Sequence, residues 1–350
     1  MIKCAYCGRE NHDESVVCHE CGTDLPVIPP PEPAEISPGQ NLKPKYVDFA
    51  SLGDVVSIVE GFPYPNWKKI SEHICQNFSK NDWPDAYHEA AAQWLEKLRM
   101  AFAAPYFFDE SGSFLLVSGQ GKNERQEFLR FAEQARAQIQ NQLRGVKLGE
   151  VFGKQVILLF HELDDYYRYI SHFYPEGTHN LSGGVFLKGG YAHVALPLRD
   201  GKSIRSTLAH ELAHNALFTL SLPRWLDEGV AKIFQIQIVR VRGTGFDADM
   251  DIADRHRAYW TPENIQAFWS GKAFLSPESV ELSYSLANIL MHLLVSEKGD
   301  FKKFLQNAHY TDGGEAAFVA AYHKSLGQIA GIFLGQGDWS PKTSVIGALG

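Results

Sequence analysis

The segment 210–214 reads His-Glu-Leu-Ala-His, so two histidines stand four positions apart and a glutamate directly follows the first. In a helix of 3.6 residues per turn, positions i and i+4 project from one face, so His210 and His214 can reach a single metal ion. Glu211 points about 100° away around the helix, where it can hold a metal-bound water without being a ligand. The spacing predicts half of a hydrolytic zinc site; a surface helix that carries two histidines by chance is the alternative.

The residues around this segment predict the helix that such a site requires. Apolar residues recur with helical period, and Ser203 is the expected N-cap of a helix that runs to Leu220. Pro223 is expected to end this run and to begin a second helix that reaches Phe234, because proline presets the backbone angle of a first helical turn. The apolar positions of the first helix are Ile204, Leu208, Leu212, Ala216 and Leu217.

A carboxylate early in the second helix can face the histidines of the first, because helices joined by so short a turn are expected to pack together. Glu228 is the natural third ligand. Asp227 is the competing candidate, since it points about 100° away on the same turn. Two imidazoles, one carboxylate and an open fourth position for water describe a catalytic zinc site rather than a closed structural one.

Together these motifs resemble a known protein family. His-Glu-x-x-His followed by Trp-Leu-Asp-Glu-Gly-Val-Ala at 225–231 is similar to the gluzincin metallopeptidases, whose third zinc ligand is a glutamate on the next helix. The nearest likeness is to compact bacterial peptidase-MA-like domains, in which that glutamate precedes a glycine, as Glu228 precedes Gly229. In gluzincins a tyrosine that enters a later helix often points at the zinc-bound oxygen, and Tyr284 occupies the corresponding place.

Flanking segments extend the resemblance over about residues 150–335. Gln155–Phe160 is similar to the opening strand of such domains, and Val185–Leu187 with His193–Leu198 is similar to the hairpin and edge strand before the zinc helix. The resemblance implies an α+β, zincin-like catalytic domain, with a small mixed sheet, an antiparallel edge strand and a C-terminal helical half. Pro197 suggests that Tyr191–Leu198 is the exposed edge with which a substrate strand pairs.

The expected activity is hydrolysis of a peptide bond. Zinc lowers the pKa of its bound water from 15.7 to about 7. Glu211 would accept that proton as the water attacks the scissile carbonyl, and would then return it to the leaving amine. The resemblance makes Tyr284 the donor to the carbonyl oxygen as negative charge grows there.

A second metal motif lies at the N-terminus. Cys4-x-x-Cys7 and Cys18-x-x-Cys21 form two pairs that are separated by ten residues. Four sulfurs brought together in this way suit a closed tetrahedral zinc, and the segment resembles a zinc ribbon of the rubredoxin-knuckle type. A disulfide framework is the alternative, with Cys75 as the remaining thiol. Metal binding would supply the folding energy of so small a module.

Charge argues against nucleic acid and anionic membranes as partners. Residues 1–25 carry two basic and five acidic side chains, a net charge of −3, and the whole chain has a net charge of −8. Phosphate binding depends on clusters of lysine and arginine, and the ribbon has none. Protein recognition, or plain structural capping, is the expected role of the ribbon, beside a peptide or protein substrate for the catalytic part.

The expected organisation has four parts. The zinc ribbon (1–25) is followed by a proline-rich linker (26–45), which is expected to be extended and to leave the ribbon tethered. A mainly helical bracing region (46–149) and the metallopeptidase domain (150–340) follow. The bracing region is expected to contain helices at Trp83–Ala104 and Asn123–Leu143 and a strand at Ser113–Val117.

Composition bounds the class of protein. With 350 residues and 45% hydrophobic residues, the chain can bury a sizeable core. No apolar run reaches the roughly 18–20 residues that span a bilayer. We expect no leader before the cysteines, and reduced thiolates predict the cytoplasm. A regulatory protein that keeps the metal without useful turnover is the alternative function, and a hydrolase of non-peptide amides is a third. Glu211 favours an enzyme, because a chain without catalysis has little chemical reason to keep it.

Overall fold

The computed structural model describes residues 2–3, 10–11, 47–174, 183–199, 201–239 and 250–342. The proposed zinc ligands of the ribbon, Cys4, Cys7, Cys18 and Cys21, and the linker 26–45 lie outside the described residues. The chain divides into two units, one formed by residues 1–26, 138–149 and 212–350, the other by 27–137 and 150–211. Two of the boundaries, at 137/138 and 211/212, fall inside continuous helices.

A short antiparallel pair, β1 (Ile2–Lys3) and β2 (Glu10–Asn11), precedes the larger elements. Among the described residues, the unit formed by 27–137 and 150–211 contains most of the strands and three complete helices. These elements are β3 (Val56–Val59), β4 (Phe62–Pro65), α1 (Trp67–Asn77), α2 (Trp83–Met100), β5 (Phe107–Glu110), β6 (Phe114–Ser118), β7 (Gln155–Phe160), α4 (Leu163–Ser171), β8 (Val185–Leu187) and β9 (His193–Pro197). Two further helices cross the boundaries, α3 (Lys122–Gln142) and α5 (Gly201–Leu217).

A five-stranded mixed sheet organises this unit, in the order β5-β6-β7-β9-β8. The three central strands are parallel, and both edge strands are antiparallel to their neighbours. Strands β6, β7 and β9 are buried almost throughout, as is typical of central parallel strands with continuous apolar runs. The described chain is thus a mixed α+β fold, and the strands expected at 155–160 and 185–187 are confirmed.

The expectation that Tyr191–Leu198 forms the exposed edge is wrong. Strand β9 lies between β7 and β8, and β8 is the edge strand. The backbone N–H of Leu198 donates to the carbonyl oxygen of Phe160 on β7, so the nitrogen of Pro197 faces the other side. The nitrogen of Pro197 faces β8, and the pairing with β8 has already ended at Ala195, so the missing N–H of Pro197 breaks no hydrogen bond between strands.

A buried histidine lies at the centre of this unit's aromatic core. His193 is 2% exposed, and its ring packs against Trp94 and Phe173. The carbonyl oxygen of Tyr191 can only accept, so Nδ1 of His193 donates to it (2.7 Å) and Nε2 accepts from the hydroxyl of Tyr169 (2.8 Å). Burial lowers the pKa of His193 to about 4. This side chain is a neutral core residue and not a ligand.

The β3–β4 hairpin and helix α1 were not expected from the sequence. The turn between the strands is formed by Glu60 and Gly61, both with positive φ, as a two-residue hairpin turn requires. Pro63 and Pro65 interrupt the strand pattern of β4. Proline argues against a strand, but β3 and β4 form a sheet of two, so each has an unpaired side on which a missing N–H costs little.

The other unit is helical in its described part after α5. The C-terminal part of the chain was expected to be helical, and its described residues after α5 form helices without a strand among them. The indole N–H of Trp225 donates to the carbonyl oxygen of Gly313 (2.9 Å), and its ring packs on Trp269 and Phe304. The helices are α6 (Arg224–Val239), α7 (Met250–Tyr259), α8 (Ile265–Trp269), α9 (Val280–Ser296), α10 (Phe301–Asn307), α11 (Glu315–Tyr322) and α12 (Leu326–Leu334).

Within the described ranges, no helix combines the length and the hydropathy that a bilayer crossing requires.

Candidate metal centre

Helix α5 carries the His-Glu-x-x-His segment in its last two turns. It begins at Gly201, so Ser203 lies inside the first turn and the prediction that it is the N-cap is wrong. Serine favours the N-cap but is also accommodated in a first turn, and a sequence pattern locates helix ends only to about two residues. The helix ends at Leu217, where the backbone N–H of Leu220 turns back to the Leu217 carbonyl (2.8 Å).

Helix α6 begins directly after Pro223, as its sequence predicts. The carbonyl oxygen of Pro223 accepts from the N–H groups of Leu226 (2.9 Å) and Asp227 (3.1 Å), which starts the helical ladder. Trp225 and Leu226 are fully buried and fix one side of the first turn in the core. The burial of these two residues fixes the orientation of α6 about its axis, which determines where the carboxylates of Asp227 and Glu228 point.

Three of the predicted ligands come together. The ligand atoms of His210, His214 and Glu228 all lie within 4.8 Å of one another, and this is the one such group of three that the described ranges contain. Nε2 of His214 is 3.4 Å from Oε2 of Glu228. A tetrahedral zinc with bonds of about 2.0–2.1 Å separates its ligands by about 3.4 Å, so this pair of atoms has the spacing that an ion needs.

Asp227, the competing candidate, lies on the other nitrogen of the same histidine. Its Oδ2 is 3.0 Å from Nδ1 of His214, and it does not belong to the ligand group. A carboxylate in this place holds the imidazole with hydrogen on Nδ1, and leaves Nε2 for a metal. Burial lowers the pKa of His214, but the carboxylates of Asp227 and Glu228 outweigh it and raise that pKa well above its usual value.

Glu211 is not one of the grouped ligands. It follows His210 on α5, and its side chain is only 7% exposed. A buried carboxylate beside two helix-borne imidazoles fits the predicted general base. That role stays a prediction.

Tyr284 approaches the centre from α9. Its hydroxyl donates to Oε1 of Glu228 at 3.3 Å, and the residue is 39% exposed. Family resemblance alone places this tyrosine at the predicted zinc site, and in the structure its hydroxyl meets the carboxylate of Glu228, a predicted ligand. Its predicted role as donor to the substrate carbonyl is untested.

Gly229 has a packing reason to follow the glutamate. A Cβ at this position would overlap Cγ of Met291 and would lie 3.1 Å from the carbonyl oxygen of Ala287, both on α9. The absence of a side chain lets α6 approach α9 closely. The same approach places Glu228 within reach of Tyr284.

Arg224 is a residue of the centre that the sequence analysis missed. Its Nε is 3.8 Å from Oε1 of Glu228, four positions later on α6. Its guanidinium also lies over the ring of Phe274, with Cζ 5.6 Å from the ring centroid. The i,i+4 spacing of arginine and glutamate was the available signal, since such pairs face one another on a helix.

Compared with known protein-family models, curated proteins and solved structures, the chain matches none of them. The likeness to gluzincins therefore depends on the motif residues alone, and it stays a prediction.

Proposed function

We propose that this protein is a zinc-dependent peptidase. The observation that supports the proposal is the group of His210, His214 and Glu228, which two consecutive helices bring together. Two nitrogen donors and one carboxylate oxygen are the set that catalytic zinc sites use with a fourth position for water. Glu211, next to the first histidine, supplies the carboxylate that such a reaction needs beside the ligands.

A bound zinc ion supplies a Lewis acid and a water of lowered pKa. Around it, the residues of the chain divide the remaining work. Glu211 takes the proton of the attacking water and delivers it to the leaving amine. Tyr284 is exposed enough to meet a substrate. Its hydroxyl donates to Oε1 of Glu228 in the substrate-free protein and would turn to the substrate oxygen where negative charge develops, leaving Arg224 beside Oε1. Asp227 orients His214 through Nδ1.

The N-terminal cysteines complete the proposal. Cys4, Cys7, Cys18 and Cys21 would bind a second, structural zinc, and the acidic ribbon would recognise a protein partner rather than nucleic acid. A reduced four-thiolate site is consistent with a cytoplasmic protein.

The test combines metal analysis with a broad peptide-cleavage screen on the wild type and Glu211→Gln. Both proteins should contain two zinc atoms per chain, and only the wild type should cleave peptides. A third variant, His214→Ala, should lose one zinc and all cleavage. Equal cleavage by wild type and Glu211→Gln would remove Glu211 from the mechanism. Zinc retention without cleavage by any of the proteins would favour the regulatory alternative.

A further inference from the structure

We propose that Arg224 is a positioning residue of the metal centre. With Tyr284 it holds one oxygen of Glu228, so that this glutamate offers only its other oxygen to the ion. The inference rests on the proposed metal site and assigns a task to a side chain that the peptidase chemistry does not itself require.

The two oxygens of Glu228 have different surroundings. Oε2 faces His214, with 3.4 Å to Nε2. Oε1 accepts from the hydroxyl of Tyr284 at 3.3 Å and lies 3.8 Å from Nε of Arg224. One oxygen therefore faces a histidine of the ligand group, and the other faces a hydrogen-bond donor and a cation.

Phe274 contacts both side chains that interact with Oε1 of Glu228, namely Arg224 and Tyr284. Its ring is fully buried, and the guanidinium of Arg224 lies over it at 5.6 Å. The ring of Tyr284 meets the same ring edge-on, with centroids 5.2 Å apart and an interplanar angle of 86°. A cation over an aromatic face and an edge-to-face aromatic pair are both attractive arrangements, so Phe274 sets where both partners of Oε1 stand.

The surroundings make this ion pair stronger than one on an open surface. The side chain of Arg224 is 24% exposed and that of Glu228 is 10% exposed. Water screens such a pair less than the exposed pairs whose contribution to stability is small.

The consequence concerns the open position of the centre. A carboxylate without partners on its second oxygen can turn and bind an ion through both oxygens. A second bond from Glu228 would fill the position that a catalytic zinc site keeps for water. By holding Oε1, Arg224 and Tyr284 keep Glu228 a one-oxygen ligand and preserve that position.

The experiment measures metal binding, not activity. Zn²⁺ affinity is determined by competition with a chelator for wild type, Arg224→Met and Arg224→Lys, and the visible spectrum is recorded with Co²⁺ in the same site. Arg257→Met is the matched control, since Arg257 forms an exposed pair with Asp254 on α7. All variants are made in the full chain with Cys4→Ser and Cys7→Ser, so that the titrated ion is the one at His210, His214 and Glu228.

Arg224→Met should weaken Zn²⁺ binding about tenfold or more, as loss of residues that orient metal ligands typically does. The Co²⁺ absorption should weaken, because a higher coordination number lowers its intensity. Arg224→Lys should retain much of the wild-type affinity, because it keeps the positive charge. The effects of Arg224→Met and Tyr284→Phe should be non-additive, because both residues hold the same oxygen.

Wild-type affinity and spectrum in Arg224→Met, equal to those of Arg257→Met, would overturn this inference and leave the peptidase proposal standing. Failure of the wild type to bind an ion at this site would overturn both. If Arg224→Met does not fold, Arg224→Gln is compared with Arg257→Gln by the same Zn²⁺ affinity and Co²⁺ spectrum, because glutamine also removes the charge but keeps a polar side chain. Wild-type values in Arg224→Gln would overturn the inference.

Discussion

Replacing Asp227 by asparagine should weaken metal binding and leave the fold intact. The Asp227 carboxylate lies 3.0 Å from Nδ1 of His214, and the two side chains are 14% and 12% exposed, so water screens their attraction little. Asparagine has nearly the same shape and can still accept a hydrogen bond through its amide oxygen. The substitution thus removes the negative charge and retains the acceptor.

The expected loss of Zn²⁺ affinity in Asp227→Asn follows from the strength of the hydrogen bond between residue 227 and His214. A bond to a charged group is worth about 1.5–3 kcal/mol, and a neutral one is worth about 0.5–1.5 kcal/mol. The loss of about 1–1.5 kcal/mol corresponds to roughly five- to tenfold weaker binding, since 1.4 kcal/mol is a factor of ten. Asp227→Ala, which removes the acceptor as well, should approach the hundredfold loss seen when orienting partners of metal ligands are removed.

The assay is a Zn²⁺ titration against a competing chelator at neutral pH, with Asp254→Asn as the control for loss of a charge at an exposed position. NMR titration of the metal-free protein should show the pKa of His214 falling towards its usual value in Asp227→Asn. Equal Zn²⁺ affinity in wild type and Asp227→Asn would refute the argument that this carboxylate orients His214.

Gly229→Ala should reduce the free energy of unfolding by about 1–3 kcal/mol, because the new Cβ overpacks α6 against Met291 on α9. In urea unfolding, Gly201→Ala is the control, since its Cβ would meet nothing within 4 Å; equal effects would contradict the packing argument. A pH effect should come from His193, whose pKa is lowered to about 4 by burial while the unfolded residue titrates near 6.5. The unfolded state then binds the extra proton between these values, so stability falls as pH decreases through 6.5 and the loss is complete below about pH 4. From pH 7 to pH 5 this costs about 2 kcal/mol. His193→Gln should flatten that part of the pH profile, and an unchanged slope would show that His193 is not its source.

Much of the secondary structure near the site follows from local patterns. Strand β7 is a continuous apolar run, which a buried parallel strand needs, and its bounds were predicted in full. Helix α6 begins after Pro223 because proline suits a first turn. The hairpin of β3 and β4 was not predicted, because Pro63 and Pro65 contradict the usual strand pattern. They are acceptable because, among the described strands, β3 and β4 pair only with each other.

The spacing of His210 and His214 was sufficient by itself to place two imidazoles on one helical face, because that relation depends only on the helical repeat. That spacing does not determine whether Asp227 or Glu228 is the third member of the group. These side chains differ by about 100° around α6, and the burial of Trp225 and Leu226 determines which one joins the histidines and which one supports His214. Contacts between distant parts of the chain likewise depend on how helices pack, which no local pattern specifies. Examples are the hydrogen bond from Tyr284 to Oε1 of Glu228 and the contact of the Tyr284 ring with Phe274.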